Sequence, residues 1–247
     1  MNSNQELTAN EISEWRKIIP ELNELNNNEE ICQYLHNLTD LECEHISVLP
    51  ESIGKLFNLE YLTLRNCEQL ITLPESIGQL SKLEQLSLIW CDNFVEFPQS
   101  ICELKKLLIL ELHGSKKIIQ LPENISKLKK LENLDLMDCE NLTTLPENIG
   151  QLRKLKVLFL RGCKNLTELP ESIGQLKNLT GLILQGCQSI TKLPESVEQL
   201  QNLYILDLKR CRSLTKLPEN IGELSKLQII GLHDCVNLTT LPKNISK

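Results

Sequence analysis

Leucine, isoleucine and proline recur along this chain in one phrase, seen in full from Leu145 to Glu168: L-P-x-x-I-x-x-L-x-x-L-x-x-L-x-L-x-x-C-x-x-L-x-x. Eight full copies begin at Leu49, Leu73, Phe97, Leu121, Leu145, Leu169, Leu193 and Leu217, and a ninth begins at Leu241. Around Leu158 and Leu160 the apolar positions alternate, the mark of a short strand with leucine on its inward side. One strand per copy stacks into a parallel sheet of about eight strands, roughly 4.8 Å apart. Cys163 then turns the chain inward, where a small thiol fits and can donate weakly to a carbonyl. Leu166 and Leu169 continue the core, and Pro170 fixes φ and stops strand continuation. Ile173 and Leu176, three apart, suit a single helical or 3-10 turn on the opposite face. Strands on one side and wider turns on the other predict an α/β repeat: a curved solenoid with its parallel sheet on the concave face.

Nine prolines, from Pro50 to Pro242, keep an unbroken spacing of 24 residues. A fixed period of that length means a stacked array in which each unit contacts only its neighbours. It excludes a doubly wound nucleotide fold or a closed barrel for residues 49–247. Residues 1–48 do not follow the phrase. Ile12, Trp15, Ile19, Leu22 and Leu25 keep helical spacing, interrupted by Pro20, and Ile31, Leu35 and Leu38 predict a second short helix after a loop at Asn26 to Asn28. Such a segment would cover the exposed edge of the first repeat. Residues 1–48 are therefore expected to be a helical cap, with a targeting or partner helix as the alternative. Cys43 and Ile46 fall in repeat columns when counted by 24, so Leu38 to Val48 reads as a degenerate first strand and turn. At the other end the copy that begins at Leu241 is cut off at Lys247. The edge formed by Leu227, Ile230 and Leu232 is expected to be open: a truncation, a naturally short array, or an edge covered by a partner or by a second copy as an edge-to-edge homodimer.

Composition narrows the function. The net charge of −7 is unevenly placed, because residues 1–48 hold two basic and ten acidic side chains while residues 49–247 are close to neutral. A near-neutral array has no general phosphate-binding field, so nucleic acid is not an expected partner. No apolar run approaches the ~20 residues of a membrane span. Met1 to Asn10 is polar and without an apolar signal core, and the ten cysteines include no C-x-x-C. Eight of them, from Cys43 to Cys235, share one column with Ser115 filling its gap. Cysteine spaced by period reads as a packing position in a reducing compartment. The expected location is the cytoplasm. No H-E-x-x-H, G-x-S-x-G or G-x-G-x-x-G occurs, and four histidines sit in no catalytic motif. The expectation is a non-enzymatic protein without cofactor.

The run Leu155, Leu158, Leu160, Cys163 is the L-x-x-L-x-L-x-x-C signature, and over residues 49–247 the chain resembles the leucine-rich repeat family. The phrase L-P-x-S-I-G-x-L at Leu73 to Leu80 and Leu169 to Leu176, followed by L-x-x-C-x-x-L-x-x-L-P, narrows the resemblance. It is similar to the repeats of plant intracellular disease-resistance receptors, of Ras-group-related proteins, and of effectors that bacteria deliver into host cells. No G-x-x-x-x-G-K is present, so a likeness to resistance receptors would be to their sensor part alone. The resemblance implies binding of a protein partner on the concave face, and a host cytoplasm as the site of action if the chain is an effector.

The variable positions of the strand carry the candidate residues. The residue after the middle leucine includes Glu111, Asp135, Phe159, Ile183 and Asp207; two positions on come Arg65, Ile89, His113, Met137, Arg161 and Lys209; the next column holds Trp90, Asp138 and Arg210. With Tyr61 they order the face from aromatic through acidic and apolar to basic, and aromatics and arginine are enriched at interface hot spots. Trp90 stands out, since most copies have Gly or a charged residue there. Glu111, His113 and Asp135 are close enough in register to raise a metal or acid–base site, but an open sheet face lacks the shielding and supporting shell such a site needs. The leading expectation is a protein-interaction module. The alternatives are a recruiting adaptor of an enzyme complex such as a ubiquitin ligase, and a self-associating module using the open edge.

Overall fold

A computed structural model describes residues 6–245, so the polar start Met1 to Gln5 and the final Ser246 and Lys247 lie outside the described residues. Among the described residues nine strands form one parallel sheet in strict sequence order. They are β1 (Asp40–Glu44), β2 (Tyr61–Arg65), β3 (Gln85–Ile89), β4 (Ile109–Glu111), β5 (Asn133–Asp135), β6 (Val157–Phe159), β7 (Gly181–Ile183), β8 (Ile205–Asp207) and β9 (Ile229–Gly231). The register never slips, so Leu134 pairs Leu158 and Leu158 pairs Leu182. Between strands the chain makes single 3-10 turns such as Glu171–Gln175. Pro170 enters that turn extended, and its carbonyl accepts the Ile173 N–H at 3.0 Å. The result is the curved solenoid that the repeat predicts, with 3-10 turns rather than α-helical ones opposite the sheet.

Leucines, isoleucines and cysteines from every repeat form one continuous buried core. A repeat alone gains roughly 1.5–3 kcal/mol per buried aliphatic side chain but loses comparable chain entropy, so stability comes from stacking on neighbours. The cysteine turn adds polar glue. Cys139, Cys163, Cys187, Cys211 and Cys235 donate to the carbonyls of Leu112, Leu136, Leu160, Leu184 and Leu208 at 2.9–3.3 Å. All ten cysteines are free thiols. Burial pushes the Cys139, Cys163 and Cys187 thiols well above their ordinary range, which suits packing groups rather than reactive ones.

Two expectations change at the first repeat. The sheet has nine strands because Asp40–Glu44 is a full strand. Cys43, however, is not in the cysteine column. It pairs with Leu64 and so takes the place of a strand leucine, 21 residues from its counterpart instead of 24. The return from β1 to β2 is three residues shorter than the later returns, so counting by 24 runs out of phase there, and Ile46 stands where later repeats have cysteine.

Ahead of β1 lie α1 (Ala9–Ile18), a 3-10 turn begun by Pro20, and α2 (Asn28–Asn37). Thr8 opens α1 with a reciprocal capping box to Glu11, and Lys55 of the first repeat holds the same Glu11 carboxylate at 2.8 Å. Trp15 is fully buried and donates from Nε1 to Ser52 Oγ at 2.8 Å. Ile12, Leu22, Ile31 and Leu35 join the core beside Leu49 and Ile53. Near the other end Leu227, Ile230 and Leu232 are only partly buried, whereas Leu203, Leu206 and Leu208 one repeat earlier are fully buried.

Candidate binding face

Because inward leucines alternate with outward residues, the five-residue strands β1 to β3 present three side chains to the open face and the three-residue strands β4 to β9 present two, the third outward column continuing just past the strand. The ladder lines them up. One row runs Thr63, Ser87, Glu111, Asp135, Phe159, Ile183, Asp207, Gly231 through successive registers. The row two residues earlier holds Tyr61, Ile109, Val157, Gly181 and Ile205. Of this earlier row only Tyr61 is among the residues expected from sequence, although alternation places the whole row on the same face.

At the early end Tyr61 is exposed and Ile89 half-buried. Arg65 pairs with Glu42 of β1, both side chains remaining largely exposed. The acidic middle is partly self-satisfied: Glu111 accepts from Ser87 Oγ at 2.6 Å, and Asp135 accepts the Met137 N–H at 2.8 Å. Burial pushes the Asp135 carboxyl above the usual carboxylate range, and the neighbouring charges of Glu111 and Asp138 push the same way, against the Met137 N–H and His113. His113 Nε2 lies 3.5 Å from Asp138 Oδ2. Among the described residues no three His, Cys, Asp or Glu side chains converge as a metal site.

Trp90, Asp138 and Arg210 sit elsewhere than expected. Their column is not part of the strand but the corner just past it, and every repeat takes that corner with positive φ: Asn66, Trp90, Asp138, Arg210 and Asp234 at 52–61°, Gly114, Gly162 and Gly186 at 75–78°. The column's preference for Gly, Asn and Asp is therefore a backbone requirement. Trp90 and Arg210 hold it at a cost, and non-glycine residues strained this way cluster at functional sites. The indole of Trp90 is 43 % exposed and packs at a tilt against the His113 ring, centroids 4.6 Å apart and planes 54° to each other. A Cβ on Gly114 would collide with the indole, so the glycine of the next repeat is what lets the ring lie flat.

Two hollows lie side by side over β6 to β8. An apolar basin of about 540 Å³ is lined by Val157, Phe159, Ile183, Tyr204 and Ile205, with Gly181 as its floor. A Cβ at Gly181 would sit 3.1 Å from Val157, so a side chain there would fill the basin. Next to it, along the corners, a cleft of about 360 Å³ is lined by Arg161, Lys164, Arg210 and Arg212, with Gly162 and Gly186 leaving its floor bare and Asp138 and Asp234 at its ends. Arg210 faces Asp234 at 3.8 Å and Lys164 pairs Glu140 at 2.8 Å. Among the described residues Arg161 and Arg212 make no ion pair. Lys209 is turned to Asp207 on its own strand, 3.5 Å away. The structure thus brings Phe159, Arg161, Ile183 and Arg210 into one neighbourhood and leaves Tyr61, Arg65, Ile89 and Trp90 in a separate one. Gly181, Tyr204, Ile205, Lys164 and Arg212 complete the late site.

The stacked parallel strands, the thiol ladder and the repeated corner define a leucine-rich repeat protein, and the chain belongs to that family. A family model described as a leucine-rich repeat region matches residues 30–144, and a second, Leucine Rich Repeat, matches 154–176. Among solved structures the chain is similar to the leucine-rich repeat domain of the type III effector XopL, at 28% identity over 80% of this chain and 69% of that one, TM-score 0.65. A Leptospira interrogans leucine-rich repeat protein shares 27% identity over 90% of this chain and 83% of that one, TM-score 0.35. A plant ice-binding protein shares 23% identity over 66% and 53%, TM-score 0.50, a likeness of fold alone. No curated protein sequence matches the chain. No helix among the described residues is long and apolar enough to cross a membrane.

Proposed function

We propose that the chain is a non-enzymatic recognition module whose partner is a protein held on the concave sheet, chiefly over β6 to β8. The observation that carries this reading is the junction of the apolar basin with the arginine cleft. A bulky side chain is desolvated in the first, and a carboxylate is met by a planar guanidinium in the second. Outward residues two apart on a strand are roughly 7 Å apart, so the two hollows suit an apolar anchor and an acidic residue close together in the partner. The stacked strands hold the contact residues in place before binding, which lowers the entropy lost on association. In this reading residues 1–48 act as the cap of the repeat domain 49–247. The likeness to an effector's repeat domain supports a role in recognising host proteins from within the host cytoplasm.

The test is affinity capture from eukaryotic lysate with four baits of the whole chain: wild type, Phe159→Ala, a combined Arg161→Glu and Arg210→Glu variant, and a control with Lys154→Glu, which lines neither hollow. A partner kept by wild type and control but lost by both concave variants is the expected result. A partner held equally by all four baits would remove the concave face from consideration.

A further inference from the structure

A second column of exposed side chains runs along the flank, between the cysteine turn and the proline. Its members are Ile71, Val95 and Ile119 in the first three repeats and threonine at each of the five equivalent positions from Thr143 to Thr239. All are β-branched, which suits the extended backbone there. Val95 N–H donates to Ile71 O at 3.0 Å, Thr143 N–H to Ile119 O at 3.1 Å and Thr167 N–H to Thr143 O at 3.2 Å, a narrow parallel ladder separate from the main sheet. The threonines do more than fit. Thr143, Thr167 and Thr215 also donate their hydroxyls to the carbonyl one repeat back, at 3.4, 3.3 and 3.1 Å.

The later repeats are thus an internal control: threonine meets every demand the fold makes at this position and is compatible with water. Ile71, Val95 and Ile119 meet the same backbone demand but have no hydroxyl to donate and set an apolar group in water. Ile71, Val95 and Ile119 are 61%, 41% and 55% exposed, and stacking sets them in one strip. Contiguous exposed apolar surface of this kind marks an interaction site. Beside the strip a groove of about 620 Å³ runs past Val48 and three successive proline turns, and among the described residues its charged lining is Glu14, Glu51, Glu75 and Glu96. A second groove continues it past Val95 and Ile119, with Glu96 again its only charge. The equivalent groove over the later repeats mixes glutamates with Lys192 and Lys216.

We propose that this flank of repeats one to three docks a partner's polypeptide segment in which aliphatic side chains are flanked by lysine or arginine. The strip desolvates the aliphatic groups and the glutamates meet the cations. A second copy of this chain placed strip to strip would set glutamate against glutamate, and an anionic lipid surface or nucleic acid would meet the same repulsion. The site shares no residue with the concave face.

The probe is an end-blocked, fluorescein-labelled decapeptide of alternating valine and lysine, titrated by anisotropy with the full chain. Companion peptides carry glutamate for lysine or serine for valine. The variants are the triple Ile71→Thr, Val95→Thr, Ile119→Thr, which copies the later repeats and so keeps the fold, and the double Glu51→Gln, Glu96→Gln. Wild type is expected to bind the valine–lysine peptide at least tenfold more tightly than either companion. The triple variant should lose at least tenfold with an unchanged or higher thermal midpoint, and the double should lose severalfold. Absence of wild-type binding, equal binding by the triple variant, or equal binding of the serine–lysine peptide would each overturn the proposal. So would sedimentation showing a wild-type dimer that the triple variant abolishes, since the strip would then be a contact between copies.

Discussion

Repeats one to three and repeats four to eight share one backbone and one buried set and differ in the surface they carry. The first three carry the aliphatic flank, the strained Trp90 corner, and in Phe94 and Phe97 an edge-to-face aromatic pair inside the core, ring centroids 5.0 Å apart. Strands β1 to β3 run to five residues, whereas β4 to β9 have three. The later repeats carry the threonine flank, glycine at two corners, and the basin and arginine cleft on the sheet. What stays constant is the inward set: the two strand positions, leucine in every repeat except for Ile230, the 3-10 isoleucine or valine, and the thiol wherever it is present. Since each unit leans only on its neighbours through that set, surface chemistry is free to differ from one stretch to the next, and two differently charged hollows can coexist on one frame.

If the frame is common property, breaking it should hurt equally in either stretch. Leu86 of β3 and Leu158 of β6 are both fully buried. Leu86→Asp and Leu158→Asp each place a carboxylate with no partner in the core and should cost about 4 kcal/mol or more. Urea denaturation followed by circular dichroism reads this directly. A loss confined to one of the two would mean that the stretches are separately stable and that the comparison rests on two cores, not one.

The thiol ladder has a single gap, and it lies in the first stretch. Ser115 replaces cysteine, its Oγ is buried, and it has no hydrogen-bond partner. Cys139, one repeat on, donates to Leu112 O at 3.3 Å, so the matching acceptor for position 115 is Leu88 O. The longer carbon–sulfur bond is what reaches it. Ser115→Cys should therefore stabilise the chain by about 1–2 kcal/mol, the cost of leaving a buried donor unsatisfied, and raise the urea midpoint without changing the slope. No gain would mean that the ladder is packing alone.

The corner column separates the stretches more finely. Arg210 holds φ of 61° where Gly162 and Gly186 hold the same corner without strain. Arg210→Gly should add about 1 kcal/mol of stability, a rise of roughly 2–4 °C in thermal midpoint, while removing a cation from the cleft and weakening partner capture. Trp90→Gly should gain less, because the tilted ring contact with His113 is lost with the strain. A destabilised Arg210→Gly variant would show that the Asp234 pairing, not the backbone, decides this corner.

Much of the frame was legible in the primary structure because it depends on periods. Leu158 and Leu160 announce the strand, Pro170 the turn, and Cys163 the inward corner, and Ile12, Trp15 and Ile31 the helices that pack on the first repeat. The period misled only where it changes, at Cys43, since a return shortened by three residues leaves no mark in a 24-residue count. The site was half legible. Phe159, Ile183, Arg161 and Arg210 lie in columns that alternation assigns to the open face. Gly181 was not visible as part of it, because a missing side chain carries no chemistry until its neighbours Val157 and Ile205 are seen to enclose the space. The repeat signature assigns Trp90 and Arg210 to the strand face, and only the dihedral angles reveal a corner, where Asn, Asp and Gly are chosen for backbone and not for binding.

The smallest expected effect falls on the boundary between the two stretches. Asp135 lies half-buried between Glu111 and Asp138. Its carboxyl is raised in the folded chain by burial, so the folded state holds a proton more tightly than the unfolded one. Stability contributed by this group is therefore greatest at low pH and declines as pH rises from the unfolded carboxylate range through the raised folded value. Asparagine keeps an oxygen for the Met137 N–H and never ionises. Asp135→Asn should thus stabilise the chain at neutral pH by roughly 0.5 kcal/mol or less, and the advantage should vanish near pH 3, where the wild-type carboxyl is itself neutral. Paired urea titrations at pH 7 and pH 3 measure it. An advantage that persists at pH 3 would place its origin in packing, and a loss at pH 7 would mean that attraction to His113 outweighs burial and that the acidic middle is held together by charge.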